Sequence, residues 1–504
     1  MVAKTKTFTF NGIDAIPIDV QVKITSGNPS FSIVGLPDKS VGESKERVRG
    51  AITSTGLSWP FEKITVNLAP ADLQKEGGHF DLAIALGIMI EIGAIPQHFL
   101  DKYFIMGELS LDGSINRVGG IISSAISANQ FNYGLICPKA NGKEAVWAGD
   151  IDIIATSDIL SLVNHLKGHQ IISRPENVHN FENKKYPDFA DVRGQEIAKR
   201  ALEISACGGH NLLMIGSPGA GKSMLASRLP SILPDLELSE ILEINMIASL
   251  SDKIIDGKLI TSRPFREVHQ SCSMPAMVGG GAKIKPGEVS FAHKGVLFLD
   301  ELAEFPRAVL DALRQPLETN KINISRANSF ATYPADFQLI CAMNPCRCGF
   351  LGDSTKECRK APLCGEEYKN RISGPLLDRI DIVLEVAQID YFAERKSLSS
   401  ESSSEIKERV LAVREIQRTR FAQYLELENS VPLNSKIEGK FIEIFCEIDE
   451  NSQKILQQFV VKNKTSMRGI SRILRVARTI ADMDCSDNIL QKHLLEALSY
   501  RRKI

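Results

Sequence analysis

Short apolar runs and stretches of strict alternation recur along this chain and divide it into three regions. In residues 1 to about 165, Val20-Gln-Val-Lys-Ile24 and Lys63-Ile-Thr-Val-Asn-Leu68 alternate and Ser32-Ile-Val-Gly35 is apolar, which predicts strands. Asp81-Leu-Ala-Ile-Ala-Leu-Gly-Ile-Met-Ile-Glu91 is apolar all round and predicts a buried helix. Residues 166–190, with Gly168, Pro175, Pro187 and many polar groups, read as a linker. From 191 to 387 the apolar runs Leu212–Ile215, Val296–Leu299 and Phe337–Ala342 punctuate helical stretches, the pattern of a parallel sheet covered by helices. Residues 388–404 end in Ser397-Leu-Ser-Ser-Glu-Ser-Ser-Ser404, a second linker, and residues 405–504 read as helices without a strand. The expected fold class is therefore α/β, a parallel sheet with a helical lid, preceded by an α+β N-terminal domain.

The chemistry sits on two of these strands. After Leu212–Ile215 comes Gly216-Ser-Pro-Gly-Ala-Gly-Lys-Ser223, a complete phosphate-binding loop leading into a helix. Gly216, Gly219 and Gly221, with Ser217, Pro218 and Ala220 between them, let backbone N–H groups curl around phosphates. Lys222 would reach the β- and γ-phosphates of ATP, and the Ser223 hydroxyl would ligate Mg²⁺. Gly295-Val-Leu-Phe-Leu-Asp-Glu301 is the matching second motif, in which Asp300 would hold Mg²⁺ and Glu301 would polarise the attacking water as a general base.

Further segments narrow the class. Phe337-Gln-Leu-Ile-Cys-Ala-Met-Asn344 resembles sensor 1 of the AAA+ ATPases, whose terminal amide helps orient the attacking water. Gly374-Pro-Leu-Leu-Asp-Arg-Ile-Asp381 resembles the segment that carries the arginine finger, which would set Arg379 against a neighbouring subunit's nucleotide. Thr465-Ser-Met-Arg468 resembles sensor 2, for which Arg468 would face the nucleotide or the adjoining subunit. Longer blocks extend the likeness: Val278-Gly-Gly-Gly-Ala282, Pro286-Gly-Glu-Val-Ser290, Arg314-Gln-Pro-Leu-Glu318, Met343-Asn-Pro-Cys346, Ser32-Ile-Val-Gly-Leu-Pro-Asp38 and Asn67-Leu-Ala-Pro-Ala-Asp72. Together they resemble the magnesium-chelatase-like AAA+ family known as YifB or ComM, over almost the whole chain. The resemblance departs at Glu267-Val-His-Gln270, where the family shows a proline and paired histidines, so no role is carried over to His269. What it implies is a hexameric, Mg²⁺-dependent ATPase that drives DNA branch migration, with helicase activity, in recombination and natural transformation.

The same resemblance extends to the N-terminal region. Gln74-Lys-Glu-Gly-Gly-His-Phe-Asp81 and Gly107-Glu-Leu-Ser-Leu-Asp-Gly-Ser-Ile-Asn-Arg-Val-Gly-Gly120 resemble the proteolytic domain of Lon. The position of the serine nucleophile reads as His79 and that of the lysine base as Ile122, which removes the chemistry of peptide hydrolysis. That domain is expected to be structural or an interaction platform.

Contacts to DNA would come from cations, since the phosphate backbone supplies most of the attraction. Thr319-Asn-Lys-Ile-Asn-Ile-Ser-Arg-Ala327 alternates like a hairpin strand and offers Lys321 and Arg326. The glycine-rich Gly279-Gly-Gly-Ala-Lys-Ile-Lys-Pro-Gly287 offers Lys283 and Lys285. Residues 453–504 carry eleven Lys/Arg against four Asp/Glu, and Arg468, Arg472, Arg475 and Arg478 recur on one helix face. Cys346, Cys348, Cys358 and Cys364 share one loop and are candidates for a structural Zn²⁺.

Composition adds limits. The net charge of −1 provides no global field toward nucleic acid or membrane, so any DNA contact must be local. No apolar run reaches transmembrane length and the N-terminus lacks a signal-peptide pattern, so a cytoplasmic location and no membrane partner are expected. Two rival readings remain open on the residues: the motor subunit of a metal chelatase, and a protein-remodelling ATPase that touches no DNA.

Overall fold

The computed structural model describes residues 2–176, 181–182, 184–251, 253–254, 257–281, 284–326, 329–351, 358, 360–388, 401–422, 424 and 433–501. The side chains of 181, 182, 326 and 329 are outside that description.

The alternating segments of the N-terminal region form one seven-stranded sheet. Its strands are β1 (Ala3–Asn11), β2 (Asp14–Thr25), β3 (Ser30–Val34), β4 (Lys63–Ala69), β5 (Tyr103–Ile105), β6 (Gly134–Pro138) and β7 (Ile153–Thr156), in the order β3-β4-β2-β1-β5-β6-β7. The β1–β2 and β2–β4 pairs are antiparallel and the others parallel. Period-two alternation sends alternate side chains into two cores. Ile18, Val20 and Val22 of β2 pack with helices α1 (Lys39–Ser54) and α2 (Asp81–Glu91). Phe8 and Phe104, their rings stacked 4.1 Å apart, pack on the other face with α3 (Ile121–Gln130). Helix α2 is buried from Asp81 to Met89, which is why its sequence shows no polar side.

The central sheet has five strands, all parallel: β8 (Leu212–Ile215), β9 (Phe265–Val268), β12 (Val296–Leu299), β15 (Gln338–Met343) and β16 (Ile382–Glu385). Spatial order is β9-β12-β15-β8-β16. Every residue of β8, β12 and β15 is buried, so these strands read as unbroken apolar runs. Leu212, Met214, Phe298 and Ile340 face α5 (Glu196–Gly208), while Leu213, Leu297, Leu299 and Cys341 face the opposite core. Two short hairpins rise beside this second core: β10 (Gly279–Gly280) with β11 (Lys285–Pro286), and β13 (Lys321–Arg326) with β14 (Ser329–Pro334).

The C-terminal helices α8 (Ser403–Ala422), α9 (Glu450–Asn463), α10 (Met467–Met483) and α11 (Gln491–Ser499) share the first core with the sheet. Val410, Ile473, Val476 and Leu494 all bury there. The segment expected to link the first two regions is partly built in: Phe181–Glu182 pairs with Leu259–Ile260, and the buried Phe189 donates its N–H to Ser403 Oγ at 2.8 Å.

The N-terminal region touches the ATPase region through α3 and through the turn between β1 and β2. Ile122, Ile126 and Trp147 pack against Ile241 and Ala248 of α7 (Leu238–Leu250), where Glu144 Oε2 also accepts from Ser249 Oγ at 3.3 Å. The turn between β1 and β2 rests on β14. A Cβ at Gly12 would fall 1.9 Å from the Thr332 carbonyl oxygen, so only glycine fits that approach.

Candidate functional site

The phosphate loop joins the carboxyl end of β8 to α6 (Lys222–Ala226). Gly219 and Gly221 take φ of +81° and +86°, conformations that open the backbone toward a ligand. In the sheet order, β8 lies where the strand sequence reverses direction, the place where parallel α/β sheets bind ligands outside their carboxyl ends.

Lys222 is only 8% exposed. Its ammonium donates to the carbonyls of Gly216 (2.8 Å) and Ser217 (3.0 Å) and to Asn344 Oδ1 (3.2 Å), all neutral acceptors. Burial lowers its pKa, and the nearby charges of Asp300 and Glu301 oppose that shift. A buried cation with neutral partners fits a polyphosphate, whose charge would complete its environment. Ser223 Oγ donates to Asp300 Oδ2 at 2.7 Å, which puts a hydroxyl and a carboxylate side by side at the loop's edge. That pair suits Mg²⁺, which takes one or two protein oxygens and fills its shell with phosphate and water. Glu301 follows in a left-handed conformation (φ 51°), its N–H bonded to Asp300 Oδ1 at 2.8 Å. The residues expected at the nucleotide, from Gly216 to Ser223 with Asp300, Glu301 and Asn344, are thus drawn to one edge of the sheet.

Two neighbours of the loop were not legible as functional. Gln195, itself at φ 57°, donates its amide to the Ala220 carbonyl (3.3 Å) and the Ala387 carbonyl (2.8 Å). Gln388 donates to the Pro218 carbonyl at 3.3 Å. These glutamines clasp the loop from both flanks. Their only sequence signal is position, at the two ends of the module.

Arg379 and Arg468 lie elsewhere. The Arg379 carbonyl accepts from Asn211 Nδ2 at 2.9 Å, just before β8, so Arg379 sits at the amino edge of the sheet. The four-residue length of β8, roughly 13 Å, separates that edge from the phosphate loop. Arg379 and Arg468 line one cavity of about 670 Å³ there, with Lys436, Arg472 and Arg475. Arg379 pairs with Glu318, and Arg472 lies 3.5 Å from the buried Asp381. Asp381 Oδ2 in turn accepts from Asn211 N–H at 3.2 Å, which fixes this arginine cluster to the start of β8. The Nε of Arg379, the Nε of Arg475 and a terminal nitrogen of Arg472 are buried without an acceptor among the described residues. Buried guanidinium donors without acceptors are costly, and an anion entering the cavity would satisfy them.

The expected four-arginine face is therefore three arginines long. Arg478 is 2% exposed, bonded to Asp482 Oδ1 (3.1 Å) and to the carbonyl of Asp487 (2.7 Å). Ten residues on from Arg468, it has turned about 80° off the cavity face and points to the loop that follows the helix.

The cysteine loop gathers its thiols, Cys358 lying beside Cys348 and Cys364 and Cys364 beside Cys346, without forming a metal site among the described residues. Cys346 is buried, Cys348 is exposed, and their sulfurs are 3.1 Å apart. Two thiolates on one tetrahedral zinc would stand about 3.8 Å apart, given Zn–S of about 2.3 Å. Among the described residues no group of three or more His, Cys, Asp or Glu side chains is arranged to hold a metal ion. Cys358 and Cys364 are free thiols of the same loop, most of whose residues between 352 and 359 lie outside the described ones. The loop does abut the nucleotide site, since a Cβ at Gly349 would fall 2.6 Å from Pro218 Cδ.

Of the cations proposed to meet DNA, Lys285 and Lys321 are exposed on the two hairpins. The hairpins pack together: Tyr333 Oη donates to the Ile284 carbonyl at 3.3 Å, and a Cβ at Gly279 would fall 2.6 Å from Ile324 Cδ1. Lys283 and the side chain of Arg326 lie outside the described residues. Among the described residues, no helix is long and apolar enough to cross a membrane.

Comparison with known proteins places this geometry. The magnesium chelatase subunit ChlI family matches residues 188–393, its ChlI companion family residues 20–141, and its C-terminal family residues 400–501. YifB of Escherichia coli strain K12 is 43% identical over 97% of this chain and 95% of its own. Competence protein ComM of Haemophilus influenzae is 41% identical over 98% of this chain and 96% of its own. The chain belongs to the YifB/ComM family of magnesium-chelatase-like proteins. Rv2897c of Mycobacterium tuberculosis is 35% identical over 97% of both chains. The 67 kDa magnesium-chelatase subunit of Chlorobaculum parvum is 25% identical over 42% of this chain and 28% of its own. Membership with an intact phosphate loop and metal strand makes this an ATPase of the ComM family, using ATP and Mg²⁺.

Proposed function

We propose that this ATPase works as a ring, that a single copy is inactive, and that ATP hydrolysis drives it along branched or duplex DNA to move branch points and part strands. The observation that carries the proposal is the position of Arg379 and Arg468 at the sheet edge remote from Lys222 of the same chain. An arginine that stabilises charge on a transferring phosphoryl group must lie against it. Placed in the cavity at the amino edge, Arg379 and Arg468 would meet the nucleotide of an adjoining copy, and six copies would close a ring as the family resemblance implies.

Within each composite site, bound ATP and Mg²⁺ supply the phosphoanhydride and the Lewis acid. Lys222 would neutralise phosphate charge, Ser223 and Asp300 would hold the cation, Asn344 would help orient the attacking water, and Glu301 would take its proton. Arg379 of the neighbour would neutralise charge on the γ-phosphoryl group as it passes to water and on the departing ADP.

DNA as the track is supported by the paired hairpins, which expose Lys285 and Lys321 together, and by the 41% identity to a protein named for competence. The N-terminal region carries the Lon-like resemblance without its chemistry. His79 is buried with Nε2 2.8 Å from the Phe8 carbonyl oxygen, and Ile122 packs against α7. It serves as a platform docked on the motor, and casein should survive incubation with the protein.

The test is a four-way-junction branch-migration and strand-displacement assay with ATP, with Lys222→Ala as control. Junction processing that needs ATP and Lys222 supports the proposal. ATP hydrolysis indifferent to forked and four-way DNA would favour a chelatase-type or protein-remodelling motor.

A further inference from the structure

The β13–β14 hairpin has two unlike faces. Ile322, Ile324, Ala331 and Tyr333 turn inward and are buried in the second core of the ATPase region. Lys321, Asn323 and Ser325 point outward on β13, and the register sets Phe330 of β14 opposite Ser325. By alternation Phe330 therefore belongs to the outward, polar face. It is 54% exposed, and none of the five hydrophobic clusters includes it. A phenylalanine on the solvent side of a hairpin, at its free end, breaks the patterning that the rest of the hairpin obeys. Behind it, Thr332 Oγ1 donates to Asn323 Oδ1 at 2.9 Å, so the outward face is knit between the strands. At the hairpin's base stands the exposed Lys321, and the adjoining hairpin exposes Lys285.

An exposed ring on a polar face, with a cation at the base of the same hairpin and another on the adjoining hairpin, matches the chemistry of single-stranded nucleic acid. Cations track the phosphates, and an aromatic face stacks on a base whatever its identity. A paired base inside a duplex has no free face to offer, whereas a base at a branch point does.

We infer that Phe330 is a stacking platform for an unpaired base, so that the hairpin engages nucleic acid through base faces as well as through phosphates. This rests on the DNA reading above and narrows it to single-stranded segments. The lysines supply attraction that does not depend on bases. Phe330 supplies the part that does.

The experiment uses full-length protein loaded with a non-hydrolysable ATP analogue and two labelled probes of equal length, oligo-dT and an abasic deoxyribose-phosphate oligomer. Phe330→Ala should weaken oligo-dT binding roughly tenfold and leave abasic binding unchanged. Phe330→Tyr should keep both affinities, and Lys321→Ala should weaken both. In a Phe330→Trp variant, tryptophan emission should be quenched by oligo-dT and not by the abasic oligomer. A thermal melt of Phe330→Ala matching the wild type shows that the fold is kept. Equal loss on both probes, no loss on either, or Phe330→Leu performing as well as Phe330→Tyr overturns the inference while leaving DNA binding in place. Loss of binding to unfolded casein, with oligo-dT unaffected, overturns it in favour of a polypeptide grip. Wild-type protein that binds neither probe overturns the DNA reading itself.

Discussion

At the carboxyl edge of the ATPase sheet, one contiguous octapeptide, Gly216–Ser223, supplies most of the site, and its polar atoms find partners within the chain. At the amino edge, the cavity draws on Glu318, Arg379, Lys436 and Arg468–Arg475, which come from four separate parts of the chain, and several of its guanidinium nitrogens have no acceptor among the described residues. The first edge is a finished ligand cradle. The second is an arginine-lined cavity whose unsatisfied donors suit an anion, and it lies away from the same chain's phosphate loop. If the chain assembles as proposed, the contrast teaches how a ring motor would keep a lone copy idle: binding would be local to one chain and catalysis shared between two.

The comparison breaks most visibly at Arg379. Arg379→Ala should cut ATP turnover by roughly a thousandfold, the lower range for an arginine acting on phosphoryl transfer. Fluorescent-nucleotide titration should find ATP affinity unchanged, because Arg379 stands at the other edge. Lys222→Ala should cut turnover by about 10²–10³-fold and also lose nucleotide affinity in the same titration. Two variants of similar activity would thus separate by binding. Loss of affinity in both would erase the distinction between the edges.

A smaller effect tests how the amino edge is held. Asp381 is 5% exposed and lies between Arg472, His210 and the Asn211 N–H. Burial opposes its ionisation, but His210 and the arginines hold its pKa below the usual value. Asp381→Asn should leave Arg472 and its neighbours less fixed. Steady-state kinetics should show kcat down about tenfold with KM little changed, since the interaction is with the transition state and not with ground-state ATP.

Much of the carboxyl edge was legible because its chemistry needs residues in sequence. A phosphate loop must be contiguous, and β12 must end in Asp300 and Glu301 for both carboxylates to reach the loop. The parallel sheet was legible from unbroken apolar strands, and the buried helix Asp81–Glu91 from its lack of a polar side. The hairpin at Lys321 showed itself by alternation. The amino-edge cavity did not, because nothing local relates Glu318 to Lys436 or Arg472. Arg478 looked like its neighbours at three- and four-residue spacing. Its burial depends on Asp482 and on carbonyls beyond the helix end, which periodicity does not see. The zinc reading rested on four cysteines near one another in sequence, and among the described residues no group of side chains is arranged to hold the ion.

The smallest expected effect lies where the C-terminal helices meet the sheet. Asp336 pairs with Lys294 at 3.1 Å and with Lys436 at 2.5 Å. Burial raises its pKa, but the two lysines outweigh that and bring it from 3.8 to about 2. A carboxylate whose folded pKa is depressed adds stability above its unfolded pKa and loses it as pH falls through the folded one. The contribution, about 2 kcal/mol, should therefore be present at neutral pH and fade between about pH 4 and pH 2. Denaturant melts of wild type and Asp336→Asn should converge across that window and stay apart above it.

The shared site can be tested without reference to DNA. Lys222→Ala and Arg379→Ala chains carrying different affinity tags are co-expressed, and only oligomers that hold both tags are purified and assayed for ATP hydrolysis. Each variant alone should be nearly inactive, yet in the mixture some interfaces would pair an intact Lys222 with an intact Arg379 from the next copy. Hydrolysis recovered well above either variant alone is the result expected. Mixed oligomers as inactive as their parents would contradict a site completed by the neighbour.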